Sequence, residues 1–295
     1  MDTSPLLYAS DLTDAEWTLL EPLLPPESPI GRPRLHALRT IRNAICNAIF
    51  SQLRTGGAWR FLPQEWPPWQ TVYCSLRRWR GDGTWERIQQ ILRDWRRQRL
   101  GRDQEPRAGS SESQSVKTSG VGGPRGFDRG KKVNGRQRHL LVDTEGFVLR
   151  AVVHPADSRD RDGVKLVLHE SIGTDFPRRR HVWLESSSNG KGKGNDWIEQ
   201  LNRPWAGRPR SWRIGDGPAQ SGSLRICPMT RSTGRAYLPP PGFRVLPRRW
   251  VVERTCSWQS QQRRLSKDYE RLCATSETWI YLAMIRLMLR RLARF

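Results

Sequence analysis

The sequence is poor in acidic residues relative to basic ones. Its 295 residues include 29 Asp and Glu against 51 Lys and Arg, which gives a formal net charge of +22 at pH 7. An excess of this size is not typical of an ordinary cytosolic enzyme, and it predicts a polyanionic partner. Nucleic acid is the partner that we expect, ahead of an anionic membrane surface.

Long apolar runs and paired cysteines are also missing. No stretch of eighteen apolar residues occurs, so the sequence offers no candidate for a membrane-spanning helix. The five cysteines are scattered without a Cys-x-x-Cys pair, which argues against a zinc site and fits reduced thiols. The histidines are dispersed too, and for His139 and His154, in strand-like stretches, a structural role is favoured over metal binding.

The first hundred residues carry the periodic apolar pattern of helices. Thr13-Asp14-Ala15-Glu16 is a capping box, so a helix is predicted to begin at Asp14. Apolar stripes at helical spacing predict three more helices before residue 100. Arg77, Arg78 and Arg80 lie between the apolar positions of the third. That helix could read DNA within a helix-turn-helix, or its arginines could coat the surface of a bundle.

The middle of the chain combines a linker-like segment with a clear hairpin. Gly, Ser, Arg and Lys dominate residues 101–136, and this composition predicts a basic linker. Residues 138–143 and 147–154 then predict two strands joined by a turn at Thr144-Glu145-Gly146. Further on, residues 164–170 fit a helix and residues 181–185 fit a third strand. Near the end of the chain, Ser276 with Glu277 in the first turn predicts the start of a C-terminal helix that Ser276 caps.

The segment from Leu246 to Leu272 contains the most informative carboxylate. Pro247 can start a helix, because a missing N–H costs nothing in the first turn. Val251, Thr255 and Trp258 would then share the buried face, and Glu253 would point elsewhere. Glu253 is therefore either a salt-bridged surface group or a metal ligand beside a phosphate-binding surface. The basic residues that could bind phosphates here are Arg248, Arg249, Arg263, Arg264 and Lys267.

These residues carry a resemblance to a known family. LPRRWVVERTCSWQSQQRRLSKDYERL resembles the C-terminal signature of DDE-type transposases of bacterial insertion sequences, in the fifth-family group. SDLTDAEW, LRTGGAWRFLP and PPWQTVYCSLRRWRGDGTWERI resemble their helical N-terminal domain, and GKKVNGRQRHLLVDTEGFVLRAVVHPADSRDRDG resembles their strand hairpin. The resemblance implies an α/β protein: a helical N-terminal domain, then a ribonuclease-H-like catalytic domain with a mixed sheet, partly degenerate here.

The resemblance also assigns three catalytic acids, to Glu112, Glu185 and Glu253. The motif SQSVKT follows Glu112 as it follows the family's first acid, but that acid is normally Asp. The second acid is normally Asp before Gly-Gly-Tyr, whereas three serines follow Glu185 here. Only Glu253 keeps the family's residue type. In the family, Asp143 belongs to the hairpin, so a turn-capping role is favoured for it.

The chemistry explains why three acids are needed. Carboxylates are hard oxygen ligands for Mg²⁺, and two such ions roughly 3.5–4 Å apart can activate an attacking oxygen and stabilise a leaving one. The resemblance thus implies two Mg²⁺ ions held by Glu112, Glu185 and Glu253. It implies double-stranded DNA as the partner, at the element's terminal inverted repeats and at the target. A homodimer on DNA is expected by analogy only. The expected location of the protein is the bacterial cytoplasm, where it would be associated with the nucleoid when bound to DNA.

These observations predict three parts and leave two functions open. The parts are a DNA-binding helical domain (1–100), a basic linker with the first-acid motif (101–136) and a catalytic domain (137–295). An irregular segment, 186–240, is either a solvated insertion or the product of a shifted reading frame. We favour the shifted reading frame, because the family pattern resumes at Arg244. The chain is either an impaired transposase or a non-enzymatic DNA-binding remnant. An RNA-binding protein would fit the charge but not the signature around Glu253.

Overall fold

The computed structural model of the chain describes residues 8–26, 38–158, 160–168, 181–183, 213–215 and 250–294. These residues form helices packed against a mixed β-sheet. Pro247, Arg248, Arg249 and Glu185 lie outside the described residues, as does nearly all of the irregular segment.

The N-terminal helices agree with the periodicity of the sequence. Helix α1 (Asp14–Leu20) begins with the predicted capping box, in which the Glu16 N–H donates to Thr13 Oγ1 at 3.2 Å and the Thr13 N–H donates to Glu16 Oε2 at 3.0 Å. A 3-10 turn containing Pro22 follows it. The other helices of this region are α2 (Leu38–Thr55), α3 (Trp69–Gly81) and α4 (Thr84–Arg99).

A mixed sheet follows the helices. Its strands are β1 (Ala108–Lys117), β2 (Gly126–Asp128), β3 (Val133–Asp143), β4 (Val148–Pro155), β5 (His181–Trp183) and β6 (Arg213–Gly215). β1 is central, antiparallel to β3 and parallel to β5, and β6 lies parallel to β5 on its far side. β4 and β2 pair antiparallel with β3. The order across the sheet is therefore β4–β3–β1–β5–β6, with β2 also on β3.

The central strand, β1, lies inside residues 101–136, whose composition predicts a linker without regular structure. The structure therefore differs from that prediction. β1 reads AGSSESQSVK, with a single β-branched residue. Its order comes from backbone pairing on both edges, and tertiary context of this kind overrides β-propensity. Gly109 permits the close pairing, because a Cβ there would lie 2.9 Å from the Val142 carbonyl oxygen.

The remaining helices lie beside the sheet. They are α5 (Asp160–Val167), α6 (Trp250–Ser260), α7 (Arg263–Ser266) and α8 (Cys273–Leu292). α5 begins four residues before the predicted start. α8 begins three residues before Ser276, so the prediction that Ser276 caps it is wrong. The Ser276 hydroxyl instead contacts Asp268, with Oγ 2.8 Å from Oδ1 and 2.7 Å from Oδ2.

Helix α8 is the centre of the apolar core. It packs against α1, α2 and α4 on one side and against β4 on the other. Its buried side chains, including Trp279 and Ile285, form one continuous cluster with Trp17 and Trp85 of the N-terminal helices and Phe147 of the hairpin. Among the described residues, no helix is both long enough and apolar enough to cross a bilayer. Helix α6 packs on β1 and β3, which brings the elements that carry Glu253 and Glu112 together.

Candidate active site

Glu112 lies on the face of the sheet that α6 covers. It pairs in register with Leu140 of β3, and directly opposed residues of an antiparallel pair point to the same face. Leu140 is buried in the core cluster that contains Val251 and Val252 of α6. The Glu112 side chain is half-buried. Its carboxylate therefore belongs to the layer between the sheet and α6.

Glu253 lies in the first turn of α6 and is exposed. Val251 and Thr255 are buried and Trp258 is half-buried, as the helical spacing predicts. Helix α6 is anchored on the β3–β4 turn, because Thr255 Oγ1 donates to the Gly146 carbonyl at 2.6 Å. Glu253 is thus presented by a fixed helix rather than by a loop.

The two acids lie on elements that pack together. Helix α6, which carries Glu253 and Cys256, packs directly on β1 and β3, and Glu112 lies on the face of β1 that α6 covers. The pKa of the Cys256 thiol is raised to about 11, chiefly by burial and next by the Glu112 carboxylate, while the Arg138 guanidinium opposes the rise and Glu253 adds to it. Two of the three predicted catalytic acids, far apart in sequence, therefore lie on elements that are in contact.

Arg138 adds a buried positive charge that the sequence-based search missed. It lies on β3 opposite Gln114, on the face that carries Glu112. Its Nη1 donates to the Leu265 carbonyl at 2.7 Å and its Nη2 to the Lys267 carbonyl at 3.3 Å. Burial lowers the pKa of Arg138 to about 10, and the Asp268 carboxylate opposes that shift. The period-2 alternation of the strand could have flagged this residue, because it puts Arg138 in line with the core position Leu140.

A buried ion pair joins the same strand to the segment after α7. Arg136 Nη1 lies 3.0 Å from Asp268 Oδ1, and both side chains are fully buried. Arg136 also donates to the carbonyl of Arg271 at 2.8 Å. The Asp268 N–H donates to the Lys117 carbonyl at 2.8 Å, at the end of β1. The basic segment 263–267 is thus held against the face of the sheet that carries Glu112.

The predicted phosphate-binding residues of this segment have two different environments. Arg263 and Lys267 are exposed, so their charges reach solvent. Arg264 is buried and pairs with Glu270, its Nη2 lying 2.6 Å from Oε1. Its Nη1 also donates to the Gly57 carbonyl at 2.7 Å. Arg264 therefore joins α7 to the loop after α2 rather than facing solvent.

The arginines of α3 are also divided. Arg77 and Arg78 are exposed, and the Arg77 guanidinium lies over the Tyr73 ring. Arg80 is half-buried and donates to Thr275 Oγ1 of α8. Two of the three arginines predicted to contact DNA are therefore accessible to a ligand, and the third binds within the chain.

The other titratable groups singled out from the sequence have structural contacts. Asp143 caps the hairpin turn, because its Oδ1 accepts from the N–H groups of Glu145 and Phe147, each at 2.9 Å. Burial raises the pKa of Asp143, and the paired Arg97 guanidinium opposes that rise. His139 and His154 stack with ring centroids 4.9 Å apart, on the face of the sheet opposite Glu112. Burial lowers the pKa of His139 to about 3.

A metal would be held by the carboxylates. Glu112 and Glu253 supply hard oxygen donors of the kind that Mg²⁺ accepts. Among the described residues no three His, Cys, Asp or Glu side chains form a group that could hold a metal ion. Glu185 lies outside the described residues.

Comparisons with known proteins give matches along most of the chain. A family model described as "Transposase DDE domain" matches residues 103–288, and one described as "Putative transposase of IS4/5 family" matches residues 12–89. A curated relative from Burkholderia cepacia, "Insertion element IS402 uncharacterized 16.2 kDa protein", is 37% identical over 83 residues. The matched part is 28% of this chain and 56% of the relative, so the chain spans about half the length of that protein. No solved structure matches the chain.

Proposed function

The chain belongs to the transposase DDE domain family, and from this premise we propose that it is an insertion-sequence transposase impaired in this copy. The proposed activity is binding of the element's ends, metal-dependent phosphodiester cleavage and strand transfer. One observation carries it: Glu112 lies on β1 and Glu253 on α6, and α6 packs directly on the face of β1 that carries Glu112. Paired carboxylates beside exposed cations suit a site that acts on phosphodiesters.

We propose a ribonuclease-H-like fold for the catalytic part. The strand order β4–β3–β1–β5–β6 supports it, since three antiparallel strands are followed by two that run parallel to β1. This topology places Glu112 on the central strand. We keep the proposed boundary at residue 100, although α4 of the helical part packs directly on α8. A boundary at residue 136 would cut β3 and separate β1 from its sheet, so we propose that the catalytic part includes β1.

In the proposed reaction Glu112, Glu185 and Glu253 would hold two divalent ions, which would supply Lewis-acid activation of the attacking oxygen and stabilisation of the leaving oxygen of the phosphodiester. Arg263 and Lys267 bind phosphates of the DNA strand and orient it against the acids. Arg77 and Arg78 give the helical part a second, weaker contact with the duplex. A homodimer that pairs two DNA ends is part of the same proposal.

The impairment follows from the length of two side chains. Glu112 and Glu185 stand where the family has Asp, and each adds one methylene between backbone and carboxylate. The octahedral geometry of Mg²⁺ tolerates little displacement. A misplacement of roughly 1 Å can lower a rate about a hundredfold, and two such changes can compound.

The test compares two variants that shorten the acids, a double variant at positions 112 and 185 and a single variant at position 253. In an excision assay on a supercoiled plasmid with matching terminal repeats and Mg²⁺, the variant Glu112→Asp with Glu185→Asp should exceed the natural chain by at least about a hundredfold. The matched control is Glu253→Asp, the same chemical change at the position that already fits, and it should lower the rate. Efficient excision by the natural chain would refute the impairment. Equal effects of the two variants would refute the assigned roles.

The second candidate is a DNA-binding remnant without enzymatic activity. The net charge of +22 and the exposed Arg263 and Lys267 favour it, because they support DNA binding whether or not a metal is held. It predicts salt-sensitive DNA binding and no cleavage with Mg²⁺ or Mn²⁺. If the chain with both Asp residues restored binds DNA but still cleaves nothing, the remnant is the correct description.

A further inference from the structure

Helix α6 carries a stack of alternating aromatic rings and guanidinium groups. Trp250, Arg254 and Trp258 are spaced by four residues and share one side of the helix. The Arg254 Cζ lies 4.6 Å from the Trp250 ring centroid and 4.7 Å from that of Trp258. Arg291 of α8 continues the stack, with its Cζ 4.2 Å from the Trp258 centroid. We call these four residues the α6 stack.

The inner members of the α6 stack are fixed by the fold. Arg254 Nη2 donates to the Glu145 carbonyl at 2.8 Å, which attaches it to the β3–β4 turn. Trp258 is half-buried between two guanidinium groups. Cation–π contacts of this kind hold a ring in one orientation. The outermost ring, Trp250, is therefore positioned before any ligand arrives.

Trp250 is nevertheless 52% exposed. Holding α6 on the sheet does not require this exposure, since Val251, Val252 and Thr255 already provide the buried contacts. A single exposed aromatic side chain is common and does not by itself indicate a ligand. Trp250 differs from such a residue because its ring ends an ordered stack and stands one helical turn from Glu253.

The position of Trp250 limits what that ligand can be. Trp250 precedes Glu253 by three residues, so the two side chains are neighbours on the helix surface, roughly 5–6 Å apart at Cβ. A ligand on the ring would have its adjoining groups beside the third acid. The guanidinium groups of Arg254 and Arg291 belong to the α6 stack, and their positive charge favours a negatively charged ligand. A DNA strand offers both parts, a planar base and an adjoining phosphate.

We propose that Trp250 is a stacking platform for one unpaired nucleobase of the DNA strand whose phosphate lies at Glu253. The proposal rests on the proposed function, because it names how the substrate strand is held at that site. Stacking on an aromatic side chain needs no particular base, since every base has a π-face. It requires a base that is out of its pair, so Trp250 would select DNA opened at the reacting position.

The experiment compares two DNA duplexes bound by the full chain in Ca²⁺ buffer. One carries a single unpaired 2-aminopurine, a fluorescent base, and the other is fully paired. We expect tighter binding of the first duplex, with quenching of 2-aminopurine as it stacks. Trp250→Ala should lower affinity for the unpaired duplex at least about fivefold and remove the quenching, with little change for the paired duplex.

Two variants make the result specific. Trp250→Phe keeps a ring and should retain most of the preference, which separates stacking from damage to α6. Phe61→Ala removes another exposed aromatic residue, 84% exposed in the turn after α2, and should change neither affinity. Equal losses on both duplexes with Trp250→Ala, or no loss on either, would overturn the proposal. Failure of the excision assay would instead count against the proposed transposase activity and would leave the fluorescence result standing.

Discussion

The two faces of the central strands carry different chemistry, although β1 and β3 supply both. The face under α6 and α7 holds charged groups: Glu112, Arg136 and Arg138. The face under α5 holds the stacked His139 and His154, with Gly163 of α5 against the His139 ring and Lys131 bonded to Ser113, the strand partner of His139. Period-2 alternation separates the two sets on the same strands.

The difference shows what burial permits. On the α6 face each buried charge has a partner: Arg136 has Asp268, and Arg138 has two carbonyl groups of the 265–267 segment. On the α5 face His139 stacks on His154 and its Nε2 lies 3.2 Å from Gln137 Oε1, and burial keeps it neutral by lowering its pKa to about 3. Unpaired buried charge is costly, so buried charges persist where the fold supplies partners, as it does on the α6 face.

The largest effect on stability is expected when the buried Arg136–Asp268 ion pair on the α6 face loses its carboxylate. Asp268→Asn leaves the Arg136 guanidinium buried without its counter-charge, and such a loss typically costs about 3–5 kcal/mol. Urea unfolding should therefore show a much lower free energy of unfolding. Arg263→Gln, on the exposed side of the same segment, is the control and should stay within about 0.5 kcal/mol of the natural chain. Similar stabilities for the two variants would contradict the assigned difference.

The second effect concerns catalysis rather than stability. In the chain with Asp restored at 112 and 185, Glu253→Gln should lower Mg²⁺-dependent excision more than about a hundredfold. That estimate exceeds the 10–100-fold typical of residues that only support a metal ligand. The free energy of unfolding should barely change, because Glu253 is exposed. Excision that persists in this variant would remove Glu253 from the proposed site.

The third effect concerns the pH dependence of stability that arises from the buried His139 on the α5 face. The pKa of His139 is lowered to about 3 in the folded chain, whereas an unfolded imidazole titrates near 6.5. Below about 6.5 the unfolded state binds the extra proton, so stability present at neutral pH is lost as the pH falls towards 3.

Replacement of the imidazole isolates this contribution. The slope from His139 is at most about 1.4 kcal/mol per pH unit, and His139→Phe should remove it from urea unfolding measured between pH 6 and pH 4. Identical pH slopes for the variant and the natural chain would mean that His139 is not kept neutral by the fold.

The smallest effect separates exposed from buried cations in the 263–267 segment. Arg263→Gln and Lys267→Gln should each reduce the slope of log binding constant against log salt by about 0.9, the value for one lost phosphate contact. Arg264→Gln should leave the salt slope unchanged and lower stability, because its guanidinium pairs with Glu270 and Gly57. A reduced salt slope for Arg264→Gln would place that residue on the DNA surface.

Local patterns predicted much of the fold. The capping box at Thr13, the apolar stripes of α2 to α4 and the β3–β4 hairpin are each encoded within a few residues, so neighbouring side chains suffice to find them. β1 could not be found this way, because its polar sequence is ordered by pairing with β3 and β5. The start of α8 was misplaced since Ser276 bonds to Asp268, a tertiary contact that competes with capping.

The residues of the candidate site remain a prediction from the sequence. The signature around Glu253 and the motif after Glu112 suggested two acids, and the elements that carry them, α6 and β1, pack together. The buried roles of Arg138 and Arg264 were not predicted, because exposed and buried arginines have the same sequence signal until their partners are known.

By itself the sequence determined the net charge, the family to which the chain belongs and the elements whose periodicity is local, since these depend on residues that are adjacent in the chain. Tertiary structure alone decided which charges are buried and which face solvent. It also made a glycine- and serine-rich stretch the central strand and left Trp250 solvent-exposed at the end of the α6 stack. The physical reason is that strand pairing, desolvation and the contact of Arg291 with Trp258 act between residues that are tens of positions or more apart.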